Sequence, residues 1–422
     1  MDKPQLSSIL PKLHLRLMPT LLMMYVLAFL DRANVGYAKM GLQADAGVGE
    51  TAFAFGASIF FVGYAFLEVP SNLILHKVGA RLWLSRIMVS WGLVSAACAF
   101  VQTPMHFYAV RFLLGIAEAG FFPGVIFYLT YWYPASARAR SVGLFYYGAP
   151  LAMTLGGPIS GQLVAHDAFG LHGWQVMFLI EGLLASLCGI AVLFLLKDRP
   201  QKAPWLDEDE KQVLLAALKE DEGRREDISV WRTLRDPRVL FLALVYFLLE
   251  MGFYGLTFYL PAQVARLLGT SIGLEVGFVS AIPWACALAA TTIIPPSCDR
   301  HGNSRGIGAL ALAVSGAALA VSAIASSPLV AVIALSVAAA GLIVSPALFW
   351  TLPTSLLRGA AAAGGIALIN SIGNLGGFAA PNFRAWLDVL LNSHSTGLIG
   401  LGIVCVIGAS CFAFAPRNTL ST

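Results

Sequence analysis

Residues Tyr25–Ala38 read YVLAFLDRANVGYA, an apolar run with the adjacent charges of Asp31 and Arg32 set in its middle. A helix needs about 20 apolar residues to cross the hydrocarbon core of a bilayer, and the run extends far enough on both sides to do so. One charge at mid-membrane costs about 2.5–3.5 kcal/mol on insertion scales, so such an ion normally faces a protein interior or a watered cavity and marks a functional site. The alternative is a buried ion pair that only pins helix packing. Neighbouring helix positions point about 100° apart. Asp31 and Arg32 are therefore expected to serve different partners, one carrying a proton and the other holding a substrate.

Working outward, the whole chain repeats this apolar character. Of its 422 residues, 58% are hydrophobic and only 12% charged, and the mean hydropathy is +0.76, outside the soluble globular range. Twelve stretches are long enough to span: roughly 14–39, 51–76, 82–102, 105–133, 138–165, 173–196, 238–262, 273–297, 304–325, 328–356, 360–390 and 395–415. An even count leaves both termini on one side. Lys3, Lys12, Arg16, Lys77, Arg81, Arg86, Arg138, Arg140, Arg300, Arg305, Arg358 and Arg417 fall at the termini or in even-numbered loops, with Lys39, Arg266 and Arg384 the main exceptions. By the positive-inside rule both termini are cytoplasmic. The first stretch has no small-residue cleavage site, so it reads as a retained helix and not a signal peptide. The six cysteines have no metal-type spacing and suggest neither a disulfide framework nor zinc. The net charge of +4 follows from loop basicity, and no concentrated basic face of the nucleic-acid-binding kind is present.

The polar segment Lys197–Pro237 divides the chain into 1–196 and 238–422, six spans each. Within it, Asp207 and Glu210 make a D-x-x-E helix start before an amphipathic surface helix, and Asp236-Pro237 reads as an N-cap with a first-turn proline. HKVGAR (His76–Arg81) is echoed by DRHGNSR (Asp299–Arg305) at the corresponding place in the second half, as expected of parallel repeats related by an axis along the membrane normal. No HExxH or phosphate loop occurs, and GNLGG inside an apolar helix is a packing pattern. A membrane-embedded enzyme would need a nucleophile with a base, or a metal cluster. A receptor would not need paired halves with central ions.

Four stretches carry a family resemblance: LDRANVGYAKMGL (Leu30–Leu42), GYAFLEVPSNLILHKVGARLW (Gly63–Trp83), RFLLGIAEAGFFPGVIFYLTYWYP (Arg111–Pro134) and NSIGNLGGFAAPNF (Asn370–Phe383). Over nearly its whole length the chain resembles the anion:cation symporter branch of the major facilitator superfamily, which includes transporters for tartrate, phthalate, hexuronates, galactonate and sialic acid. It departs from the pattern at His76, where the superfamily loop usually has Asp; the second copy keeps Asp299. The resemblance implies an all-α membrane protein of twelve transmembrane helices in two six-helix pseudo-symmetric bundles. It further implies proton-coupled import of a small organic anion across an inner membrane by alternating access, with no cofactor, by a monomer. The substrate would be a carboxylate such as tartrate, or an aromatic acid. Gly156-Gly157-Pro158 with Gly161 leaves open an organic-anion exchanger or a proton-coupled exporter, though such a pattern also serves close helix packing.

Site candidates follow from both lines. Arg111 and Glu118 are seven apart and share a helix face; with Asp31 and Arg32 they sum to zero formal charge. Protonating one carboxylate would make the cluster a better anion site, and by linkage the anion would raise proton affinity. The resemblance implies that Arg32 grips the substrate carboxylate, for which a guanidinium fork is suited, that Asp31 and Glu118 take protons, and that Arg111 partners Glu118. Tyr64, Ser345, Trp350, Asn370 and Asn374 are further substrate-binding candidates, Tyr64 equally a core residue. Gly373 and Gly377 form a GxxxG face beside the asparagines. Glu250, in YFLLEMGFYG, stands where an apolar or small residue is expected and is a possible extra proton or substrate group. Glu68 reads as snorkelling or gating, and Glu181 is ambiguous. His76, Arg81, Asp299 and Arg300 are assigned to the gating loops.

Overall fold

The computed structural model describes residues 5–222, 235–301, 303–356, 359–393 and 395–416, and among them the chain is helical throughout, with one isolated bridge between Ala168 and Leu171. The first half comprises α1 (Leu6–Asp45), α2 (Glu50–Val78), α3 (Ala80–Ala97), α4 (Pro104–Glu118), α5 (Phe121–Thr130), α6 (Ala135–Tyr146), α7 (Gly148–Val164) and α8 (Gly173–Leu195). After the surface helix α9 (Glu208–Glu222) come α10 (Pro237–Thr257), α11 (Leu260–Leu268), α12 (Leu274–His301), α13 (Ser304–Ile324), α14 (Pro328–Phe349), α15 (Thr351–Leu356), α16 (Gly359–Leu390) and α17 (Thr396–Ala413).

Ten segments of the described residues are long and apolar enough to cross a bilayer. The two other expected spans differ for visible reasons. The fifth is broken at Tyr147 into α6 and α7, and the eleventh, α16, is 32 residues long but diluted by Asn370, Asn374, Asn382 and several glycines. Large apolar side chains such as Phe66, Leu187, Ile293 and Ile324 stay exposed on the outer surface. Apolar exposure on this scale needs lipid in place of water.

Packing repeats between the halves. α1 lies on α7 as α10 lies on α16, α2 on α4 as α12 on α14, and α3 on α8 as α13 on α17. The repeat extends to single atoms. A β-carbon on Gly92 would sit 2.5 Å from the Gly182 carbonyl oxygen, and one on Gly182 2.6 Å from that of Gly92; Gly316 and Gly402 face each other the same way in the second half. The sequence spacing from Arg81 to Arg305, within the two loop motifs, is also the spacing from Gly92 to Gly316. The halves meet along α2·α16 and α7·α12. There Gly157 of the Gly-Gly-Pro run abuts the Gly277 carbonyl, and a β-carbon on Gly161 would lie 2.6 Å from that of Gly273, so close packing accounts for this motif.

The local start signals are present. Glu210 N–H donates to Asp207 Oδ1 at 2.7 Å and Asp207 N–H to Glu210 Oε2 at 3.2 Å, which closes the capping box; Lys12 of α1 pairs with Glu210 and holds α9 down. Asp236 caps α10 through Arg238 N–H at 2.8 Å. In the first loop motif, the Arg81 N–H donates to Asp198 Oδ1 at 2.9 Å, while His76 is exposed and lies 3.5 Å from the Tyr131 hydroxyl. The side chains of Asp299 and Arg300, with Lys3, Arg358, Arg417 and linker residues 223–234, lie outside the described residues.

Candidate functional site

The fourth span is interrupted after Glu118. Gly120 takes φ 85°, and a β-carbon there would lie 2.7 Å from Ser71 Cβ, so glycine meets both the left-handed backbone and the lack of room. The break leaves Glu118 as the last residue of α4, fully buried. A carboxylate at a helix C-terminus faces the unfavourable end of the dipole. Arg32 supplies the compensating charge: its Nε donates to Glu118 Oε1 at 2.9 Å and its Nη2 donates to the same oxygen. Arg32 Nη1 donates to the Tyr254 hydroxyl of α10 at 3.1 Å, and the rings of Phe29, Phe60 and Tyr64 lie 5.2 to 5.4 Å from the guanidinium carbon. The second Glu118 oxygen, Oε2, has no partner among the described residues.

Arg32 lies on the wall of a cavity between the two halves. The first half contributes Tyr25, Phe29, Tyr64, Phe122 and Tyr146, and the second contributes Tyr246, Glu250, Tyr254, Asn370 and Asn374, with Pro346 and its neighbours on α14. Of the substrate candidates, Arg32, Tyr64, Asn370 and Asn374 are thus brought together. Ser345 is not: its hydroxyl donates to the Gly308 carbonyl at 3.0 Å, in the contact between α14 and α13. The following residues, Pro346 and Ala347, face the cavity instead. Trp350 stands behind the wall, its ring 4.9 Å from that of Tyr246.

Asp31 points away from Arg32, in keeping with the 100° offset, and accepts from the Ser95 hydroxyl of α3, with no hydrogen bond to Oδ2 among the described residues. Arg111 does not pair with Glu118. Its Nη2 donates to the Ala57 carbonyl at 3.3 Å, and Nε and Nη1 have no hydrogen bond among the described residues. Seven residues share a face but are about 10 Å apart along the axis, too far for contact, and Arg32 occupies the carboxylate.

Three buried acids carry more than the sequence suggests. Glu68 of α2 accepts from Asn370 at 2.7 Å and Ser371 at 2.8 Å, both on α16, and so ties the halves together beside the cavity. Glu181 of α8 accepts from Asn34 at 3.0 Å and Ser160 at 2.8 Å. Glu250 of α10 is buried and lines the cavity, one turn from both Tyr246 and Tyr254. At the α1 C-terminal end, Lys39 Nζ lies 4.5 Å above the Tyr259 ring while the Arg384 guanidinium carbon lies 4.1 Å from the same ring, and Asn382 of α16 donates to Ser58 of α2 at 2.8 Å. Two of the three basic exceptions to the charge pattern, Lys39 and Arg384, are thus buried parts of a seam between the halves, while Arg266 is exposed. Asn34, Ser95, Tyr146 and Tyr246 were not singled out by sequence; Asn34 and Tyr246 lie within one helical turn of Asp31 and Glu250, a signal that could have found them, whereas Ser95 meets Asp31 only across helices.

A helical membrane protein with two repeated bundles and an ion-bearing cavity between them belongs to the class of solute carriers. The profile of the Major Facilitator Superfamily matches residues 21–381, and the chain belongs to that family. It is similar to the inner membrane transport protein RhmT of Escherichia coli K12, at 45% identity over 97% of this chain and 95% of that protein. It is also similar to a putative tartrate transporter of Agrobacterium vitis, at 46% identity over 98% of this chain and 92% of that one. A bacterial homolog of the human lysosomal transporter Spinster, solved in an inward-facing unoccupied conformation, superposes with a TM-score of 0.78 at 14% identity, covering 94% of this chain and 96% of the other. The protein is a membrane transporter and not an enzyme.

Proposed function

We propose that the protein imports a small organic carboxylate together with protons by alternating access of the cavity. The observation that carries this is the double hydrogen bond from Arg32 to Glu118. Arg32 has the planar fork that suits a carboxylate, and a carboxylate of the protein already holds it. A substrate anion must take that place. Protonating Glu118 removes its claim on Arg32 and opens the fork, so proton and anion favour each other's binding, a reciprocal coupling. Asp31 and Arg111, each with unpartnered buried atoms, tune the field around the pair. The names of RhmT and of the tartrate transporter support an organic acid and the inner membrane.

In this reading residues 1–196 and 238–422 are the rocking bundles, 197–237 is the cytoplasmic linker with both termini on its side, and the working unit is a monomer. The loop residues His76, Arg81, Asp299 and Arg300 flank the cytoplasmic gate. The test is accumulation of a labelled organic acid, chosen by a thermal-shift screen, in proteoliposomes with an acidic exterior. Exchange without accumulation would make the protein an exchanger, and accumulation only with reversed gradient an exporter.

A further inference from the structure

The two ends of the cavity differ in charge. At one end stands Arg32 with Glu118, together neutral. Further along the wall stands Glu250 of α10, buried and in no ion pair among the described residues. Around Glu250 the wall is aromatic and neutral: Tyr25 of α1, Tyr146 of α6, and Tyr246 and Tyr254 of α10, with Asn370 and Asn374 of α16. Glu68, beside the cavity, is already satisfied by Asn370 and Ser371. Tyr254, which contacts Arg32, and Glu250 are four residues apart on α10, about 6 Å along the axis. A chain of roughly six atoms reaches from one to the other.

We propose that Glu250 reads the far end of the substrate, selecting acids that end in a hydrogen-bond donor over those that end in a second carboxylate. This rests on Arg32 taking the substrate's first carboxylate. A hydroxyl or an ammonium placed at the far end donates to the open Glu250 oxygens. A second carboxylate would meet a like charge in a cavity with no spare cation, the form of discrimination that builds repulsion against the wrong ligand. In this role Glu250 is a specificity residue.

Matched six-carbon acids test this: gluconate against glucarate, 6-hydroxyhexanoate and 6-aminohexanoate against adipate, each measured by calorimetry and thermal shift on the full-length protein in detergent. Like-charge contact across a binding site is strongly unfavourable, so the donor-ended acids should bind about tenfold or more tighter than their dicarboxylate partners. Glu250→Gln should bring each pair to comparable affinity by tightening the dicarboxylates, and Glu250→Asp should restore the preference. The hydroxyl and ammonium probes show which donor is favoured. Equal or tighter dicarboxylate binding by the unaltered protein, or an unchanged ratio in Glu250→Gln, overturns the role of Glu250 while leaving the Arg32 clamp standing. Failure of all five acids to bind, or binding that survives Arg32→Gln, overturns the clamp and the inference together.

Discussion

As the proposed carboxylate clamp, Arg32 should not be replaceable by another cation without loss. Lysine keeps the charge but not the fork, and hydrogen bonds to charged groups are worth about 1.5–3 kcal/mol. Arg32→Lys should weaken binding of the best anion about ten- to hundredfold, measured by calorimetry, with the melting temperature little changed. Glu118→Gln imitates the protonated acid permanently. It should bind substrate and exchange labelled for unlabelled anion, yet lose gradient-driven accumulation, because the proton has nowhere to leave from. Loss of both activities in a folded variant would make Glu118 a binding or structural residue. Retention of both would pass the coupling role to Asp31.

At the scale of helices, the contacts separate glycines that are needed from glycines that are spare. A β-carbon on Gly92 would press into α8 at Gly182 and Ser186, whereas one on Gly143 meets nothing within 4 Å. Gly92→Ala should lower stability by about 1–3 kcal/mol through overpacking; Gly143→Ala, exposed and inside α6, should raise it by about 0.4–1 kcal/mol. Thermal unfolding in one detergent compares the two directly. The elements themselves were largely legible: Asp207-x-x-Glu210 and Asp236-Pro237 start helices where expected, because capping depends on neighbours in sequence. The breaks were not. The stops at Gly120 and Tyr147 lie within continuous apolar text, and only the approach of Ser71 from α2 explains the first.

For the whole molecule, hydropathy and the loop echo disclosed two repeated halves, since lipid imposes length and composition on every span. The pairing of charges escaped, because partners such as Arg32 and Glu118, or Glu68 and Asn370, come from distant helices whose rotation no periodicity reports. In the proposed rocking, contacts that cross between the halves, such as Glu68 with Asn370, must break. Ser58 and Asn382 join α2 to α16 at 2.8 Å near the Lys39 end. With both changed to cysteine and oxidised, transport should stop and return on reduction, with the cross-link followed by gel mobility. Full transport in the cross-linked protein would mean that this seam stays shut throughout the cycle.

The bond between Arg32 and Glu118 has an electrical consequence. When the carrier is empty, the arginine and the ionised glutamate carry no net charge between them. In the proposed cycle the glutamate of the loaded carrier is neutral, and a monovalent anion balances the arginine instead. Both journeys across the bilayer therefore carry the same charge at this site, and the membrane voltage neither drives nor opposes the cycle for a monoanion. Uptake under a fixed pH gradient should be the same with or without a potassium diffusion potential set by valinomycin. For a dianion the loaded journey gains one negative charge, and an inside-negative voltage would slow it.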